Sequence, residues 1–205
     1  MNLVTVVCGD GIQQPGEECD TAGDISQLPC TPDCRIANSV LNGDFETGTL
    51  SGWTPVGTAA FVVQTVVPYA EVPSLSPKSI AVTPPANGGS YCAYVRTGDG
   101  VEIGFEQTLT VDAGRPYAYY ADLFLREVQI PGDQRSVQIV QLFMNGTLTA
   151  SYTSGILATP EYASFSGIYT PDSNQLTLRI VAVRATSVGT GFGQMCLDNV
   201  RLVEQ

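Results

Sequence analysis

"YAYYADLFLR", residues 117–126, reads as one extended segment with two unlike sides. Successive side chains of a strand point to opposite faces, so Tyr117, Tyr119, Ala121, Leu123 and Leu125 share one side. Tyr120, Asp122, Phe124 and Arg126 share the other. The first set is apolar or aromatic throughout and predicts a core-facing surface; the second mixes aromatics with charge and predicts an outward one. The same reasoning applied to "QLTLRIVAV", residues 175–183, puts Leu176, Leu178 and Ile180 inward and Thr177 and Arg179 outward. "SVQIVQLFM", residues 136–144, alternates poorly, which predicts a strand buried on both faces or interrupted by a bulge.

Outward from these strands the same texture continues. Runs rich in Val, Thr, Tyr, Phe and Ile include "AAFVVQTVV", "SIAVT", "YCAYVR", "FEQTLTV" and "ASFSGIYT". Turn-forming stretches such as "PPANGG", "TGDG", "DAGRP", "PGDQ", "MNG" and "TPDSN" separate them. No stretch has a convincing helical period. Many short strands at this spacing predict an all-β fold, a two-sheet antiparallel jelly-roll sandwich, over residues 37–205.

Residues 1–36 differ in kind. They hold four of the six cysteines, with much Gly, Pro, Asp and Glu and hardly any apolar periodicity. Such a segment cannot bury a core and must be stapled, so it reads as a small disulfide-rich unit ahead of the sandwich. Its cysteines, Cys8, Cys19, Cys30 and Cys34, allow three connectivities, all of which remain open.

Charge and composition narrow the function. Nine Lys and Arg against twenty Asp and Glu give a net charge of −11 over 205 residues. That surface repels phosphate, which argues against nucleic acid and anionic membranes and in favour of divalent cations as partners. There is no histidine. The commonest general base near neutral pH and the Ser/His/Asp and Cys/His nucleophile systems are thereby excluded, and the expectation is a protein that is not an enzyme. An even number of cysteines with no Cys-x-x-Cys pair points to disulfides in an oxidising compartment, hence to a secreted, extracellular or cell-surface protein. "MNLVTVV" lacks the features of a signal peptide, so the chain reads as a trimmed form, or an excised region, of a longer secreted protein. No apolar run approaches the about 20 residues that span a bilayer.

"CGDGIQQPGEECD", residues 8–20, sets Asp10, Gln14, Glu17 and Asp20 among glycines and a Pro-Gly pair that turn the backbone sharply. Clustered hard oxygens on tight turns suit Ca²⁺, which takes about 6 to 8 oxygen ligands. The stretch resembles the calcium-binding opening of disintegrin domains, and it is similar to the short cysteine-rich repeats of many secreted proteins. Asp10 stands where disintegrins have Asn and Gln14 where they have Glu. The likeness to disintegrins ends by residue 20, and "CTPDC", residues 30–34, fits the shorter repeat better. The resemblance implies side-chain ligands at Asp10, Gln14, Glu17 and Asp20, with main-chain oxygens near Val7 and Ile12, and carries no implication of integrin binding.

"NSVLNGDFETGTLSGW", residues 38–53, and "CLDNVRLVE", residues 196–204, resemble the first and last strands of the jelly-roll carbohydrate-binding-module superfamily. "FEQTLTVDAGRPYAYYADLFLR" is similar to its middle strands. The resemblance implies terminal strands lying side by side and sharing a structural Ca²⁺, with Glu46 and Asp198 as carboxylate ligands. Asp44 would add a side chain or carbonyl, and the Pro77–Ile80 turn a carbonyl. A metal there would clip the two chain ends together. By elimination Cys92 is left to pair with Cys196, tying a middle strand to the last; two buried thiols are the alternative. Trp53 reads as core, and as a sugar platform only secondarily.

Carbohydrate binding on such a fold needs aromatic faces and fixed polar groups on a rigid sheet. The outward set Tyr120, Asp122, Phe124 and Arg126 is the best assembly, with Glu106 and Arg179 on strands expected to adjoin it. Tyr69, Tyr91 and Tyr94 would contribute from the edge. The leading expectation is a calcium-stabilised, non-catalytic module for a polysaccharide or cell-surface glycan. The alternative is a structural or adhesive extracellular protein, such as a surface-fibre subunit, with protein partners. "GTGFG", residues 189–193, has no following helix to present amides to a phosphate and reads as a turn. Asn145 opens the only glycosylation sequon, "NGT".

Overall fold

The computed structural model describes residues 39–57, 63–69, 89–97, 100–128, 137–154, 161–185 and 192–205. The cysteine-rich segment 1–36 lies outside these residues. With it go the expectations for Val7, Asp10, Ile12, Gln14, Glu17 and Asp20 and for the pairing of Cys8, Cys19, Cys30 and Cys34. The "SIAVT" run and the Pro77–Ile80 turn also lie outside.

Ten strands follow in order: β1 Thr54–Val56, β2 Val63–Pro68, β3 Tyr91–Thr97, β4 Ile103–Thr110 and β5 Tyr117–Val128. Then come β6 Val137–Met144, β7 Thr147–Thr153, β8 Glu161–Tyr169, β9 Gln175–Ala185 and β10 Phe192–Glu204. They form two five-stranded sheets, β1-β4-β9-β6-β7 and β2-β3-β10-β5-β8. Every strand pairing is antiparallel. From β3 onward the chain crosses between sheets at almost every connection, which gives the sandwich its jelly-roll character. No helix among the described residues is long and apolar enough to cross a membrane.

The alternation of single strands sorts the core as the sequence predicts. Tyr117, Ala121, Leu123 and Leu125 of β5 and Leu176, Leu178, Ile180 and Ala182 of β9 lie in one cluster between the sheets, with Tyr119 packed against it. Arg179 and Thr177 face away. β6 joins the core through Val140, Leu142 and Met144, and its pairing with β7 slips between Leu142 and Phe143. That slip is the bulge implied by its poor alternation. Asn145 and Gly146 close the β6–β7 hairpin with φ of 50° and 76°, the doubly left-handed turn for which Asn-Gly is favoured.

The two ends of the sandwich domain lie side by side. Ser39 N–H donates to the Leu202 carbonyl at 2.8 Å, and Val200 N–H to the Gly43 carbonyl at 2.8 Å. Only glycine allows this approach, because a Cβ on residue 43 would sit 2.0 Å from the Val200 oxygen. Between these contacts the chain turns through Phe45, fully buried and at φ 56°, whose ring lies 5.6 Å from that of Trp53. Trp53 is core, its indole N–H donating to the Asn42 carbonyl at 3.1 Å.

Candidate functional site

β10 carries an irregularity between Asp198 and Arg201, with Asn199 at φ 49°. The slip turns Val200 into the core while Asp198 stays on the outer side of its sheet, beside Asp122 of β5. Across this outer face the register aligns Tyr162, Ser164 and Ser166 of β8 with Phe124, Asp122 and Tyr120 of β5. On the other side of β10, Tyr94 of β3 pairs with Cys196.

A second, smaller apolar cluster sits on this outer face: Tyr69, Cys92, Tyr94, Phe124 and Cys196, all buried, with Val67 packed against them. Cys92 and Cys196 are joined as a disulfide across 104 residues, so the pairing left by elimination is the one present. Tyr69 follows β2 directly and is held by its amide, which donates to the Ser90 carbonyl at 3.0 Å. Its ring leans over the cluster, and its hydroxyl donates to Asp198 Oδ2 at 2.7 Å.

A partly open pocket of about 210 Å³ is formed against this cluster by Tyr69, Asp122, Leu123, Phe124, Tyr162, Ala163 and Ser164. Phe124 and Tyr162 meet with ring centroids 5.0 Å apart at 57°, an angled pair of aromatic walls. Phe124 is buried and Tyr162 is 51% exposed, so Tyr162 forms the rim.

The polar side is fixed by hydrogen bonds. Tyr120 hydroxyl donates to Asp122 Oδ1 at 2.6 Å, and Asn199 Nδ2 donates to Asp122 Oδ2 at 2.9 Å. Asn199 N–H donates to Asp198 Oδ1 at 2.7 Å. Burial pushes the Asp198 carboxyl up to about 7, with the charges of Asp122 and Glu46 adding to the rise and the Tyr69 and Asn199 hydrogen bonds opposing it. Burial and then the Asp198 charge drive the Tyr69 hydroxyl well above the ordinary phenol range, so it stays a donor. Tyr120 is pushed up to about 12, first by burial and then by its bond to Asp122.

The expected ligand set is thus divided. Tyr120, Asp122 and Phe124 come together on one face as predicted, and Tyr69 joins them. Arg126 lies on β5 next in the same alternation, but its side chain is outside the described residues. Glu106 and Arg179 do not join: they pair with each other on β4 and β9, in the opposite sheet. There Arg179 forms a 2.7 Å ion pair with Glu102 and lies 5.8 Å over the Phe143 ring. Tyr94 is a buried strand residue, not an edge contributor, and Tyr91 is half-buried at the start of β3. The sequence reading missed Tyr162, the most exposed aromatic of the site.

Of the metal ligands expected at the chain ends, Glu46 and Asp44 make hydrogen bonds within the protein. Glu46 Oε1 accepts from the Ser90 and Tyr91 amides at 2.7 and 2.8 Å, and Asp44 Oδ1 accepts from Glu46 N–H at 3.3 Å. The Glu46 charge is near enough to Asp198 to raise its pKa. Among the described residues no group of three or more His, Cys, Asp or Glu is arranged to hold a metal. Glu46 and Asp198 carry hard oxygens of the kind Ca²⁺ takes, but two carboxylates fall short of its about 6 to 8 ligands, and main-chain carbonyls would have to supply the rest of a shell.

The chain finds no match among protein-family models or among curated protein sequences. Among solved structures it is similar to the enzymatically active domain of bacteriophage CBA120 tailspike protein 4, with a TM-score of 0.49 and 16% identity over 83% of this chain. It spans only 22% of that tailspike chain. It is also similar to TmCBM61 in complex with β-1,4-galactotriose, with a TM-score of 0.46, 16% identity, and coverage of 82% of this chain and 99% of that one. A third is the Clostridium thermocellum xylanase 10B CBM22-1–GH10 module pair complexed with xylohexaose, with a TM-score of 0.47 and 14% identity over 82% of this chain and 29% of that one.

Proposed function

We propose that this domain binds carbohydrate without transforming it, and that the outer face of the β2-β3-β10-β5-β8 sheet is the binding surface. The observation that carries this is the pocket in which Phe124 and Tyr162 present angled aromatic walls beside Asp122 and Ser164. Sugar rings combine apolar C–H faces with a fringe of hydroxyls, so a site for them needs aromatic surface next to rigid polar groups. Here the polar groups are held by Tyr120 and Asn199 on strands, which limits the ordering cost of binding.

Catalysis is not required by the arrangement. Asp122 and Asp198 are neighbours on adjacent strands of one sheet and lie on the same side of anything bound there. Glycoside hydrolysis needs two carboxyl groups that flank the scissile bond. Both aspartates are instead tied to fixed donors.

Calcium at Glu46 and Asp198 is part of the same proposal. It would supply charge neutralisation at the chain ends and hold residues 39–46 to β10. Secretion is proposed with it, supported by the Cys92–Cys196 disulfide, a bond that persists in oxidising compartments. The test is a glycan array with insoluble-polysaccharide pull-down in calcium buffer, alongside light scattering for mass. Retention of a monomer by one polysaccharide class supports the proposal. Failure to bind any glycan, with a growing assembly, replaces it by a structural subunit.

A further inference from the structure

The donors that surround the two aspartates point inward to the protein. Tyr69 and Tyr120 hydroxyls donate to Asp198 and Asp122, and Asn199 donates to both aspartates. What Asp122 and Tyr69 leave for a ligand are lone pairs. No Lys or Arg lines the pocket among the described residues. Three aromatic rings, Tyr69, Phe124 and Tyr162, form the rest of its wall.

A pocket that offers acceptors, a carboxylate and aromatic faces is selective in a definite direction. A neutral hydroxyl satisfies the acceptors but gains nothing from the ring quadrupoles. A protonated primary amine brings three N–H donors and a positive charge, so it gains a charge-assisted bond at Asp122 and attraction to the ring faces. A carboxylate, sulfate or phosphate is repelled by the Asp122 carboxylate. The volume, about 210 Å³, is below the roughly 300–1,000 Å³ of sites for drug-sized ligands and suits one ring in place of a length of chain. The net charge of −11 would also concentrate a cationic polymer near the surface.

We propose that the Tyr69–Asp122–Phe124–Tyr162 pocket selects a sugar bearing a free, protonated amine, such as the glucosamine unit of a deacetylated amino-sugar polymer. This rests on the carbohydrate-binding proposal above and names the ligand class of that same site. Asp122 accepts from the ammonium, Tyr162 lies over it from the rim, and Phe124 forms the floor. N-acetylation removes both the charge and two of the three donors, so it removes the preference.

The experiment is calorimetric titration with three disaccharides in slightly acidic buffer at physiological ionic strength: β-1,4-linked glucosamine, its N-acetylated form and cellobiose. Ethanolamine serves as an amine without a sugar. The variants are Asp122→Asn, Tyr162→Ala and, as a control for overall charge, Asp172→Asn at an exposed turn position. The expected result is glucosamine disaccharide binding about tenfold tighter than the other two, with the preference lost in Asp122→Asn and Tyr162→Ala and kept in Asp172→Asn. Tyr162→Ala guards against misfolding of Asp122→Asn, because Tyr162 is half exposed on an edge strand. Equal binding of all three disaccharides, or tighter binding of the N-acetylated one, overturns the amine selectivity and leaves carbohydrate binding standing. Loss of the preference in Asp172→Asn as well overturns it too, since the overall field would then be responsible. Binding of ethanolamine with no disaccharide bound overturns the amino-sugar ligand and the carbohydrate proposal together, leaving only a cation pocket. No binding of any probe overturns both.

Discussion

The Tyr69 hydroxyl donates to Asp198 Oδ2 at 2.7 Å across 129 positions of sequence, and both groups are buried. One bond therefore fixes the segment after β2 to the last strand and places a tyrosine ring at the wall of the pocket. Tyr69→Phe keeps the ring and removes the donor to a buried carboxylate. It should cost about 1.5–3 kcal/mol, read as a lower midpoint in chemical denaturation.

The raised Asp198 pKa gives a pH dependence of definite sign. Burial pushes its carboxyl up to about 7 in the folded protein from the 3.8 of an ordinary solvated aspartate, so the folded state binds more protons between those values. Stability then falls as pH rises through that window and levels off above it. In chelator, the melting temperature should rise on acidification from about 8 towards 5. A flat profile there would show Asp198 to be compensated by a neighbour.

Calcium favours the anion and opposes that trend. If Glu46 and Asp198 hold it, saturating calcium raises the melting temperature above that in chelator and flattens the acid-side rise. Glu46→Ala and Asp198→Ala should each abolish the calcium effect. Identical melting curves with and without chelator would dispose of this metal site.

The Cys92–Cys196 disulfide closes a loop of 104 residues within the sheet that carries the pocket. Replacing both cysteines by alanine should cost about 2–4 kcal/mol through the greater freedom of the unfolded chain. Unfolding free energies of the two forms, extrapolated to water with each form's own m-value, measure it.

Gly43→Ala probes the joined chain ends. A Cβ there meets the Val200 carbonyl at 2.0 Å, and backbone cannot move aside as a side chain does. The substitution should cost about 1–3 kcal/mol and increase amide exchange at Ser39 and Val200, the two donors that hold the ends together.

The strands with clean alternation were legible from sequence, and the reason shows in β5 and β9: each has one wholly apolar side, and burial followed it. β7 was not, because "TLTASYT" is an edge strand of Thr, Ser and Ala that contributes to the core only through half-buried Ala150 and Tyr152. For the site, period-two alternation was enough to group Tyr120, Asp122 and Phe124. It was not enough to say which strand lies alongside, since alternation encodes a face and not a neighbour. Arg179 and Glu106 were therefore placed with β5 although they belong to the other sheet. Tyr162 was missed for the same reason: its role exists only through the β5–β8 register that sets it against Phe124.

Tyr162 also separates binding from folding. Phe124 is buried in the outer cluster, so Phe124→Ala should cost about 3–5 kcal/mol and confound any binding result. The most direct test is affinity for the best-retained polysaccharide, measured side by side on the wild-type domain and Tyr162→Ala with melting curves on the same samples. The wild type should be retained, and Tyr162→Ala should bind about tenfold more weakly at an unchanged melting temperature. Equal retention of the two proteins, or no retention of either, would contradict a carbohydrate site at this pocket.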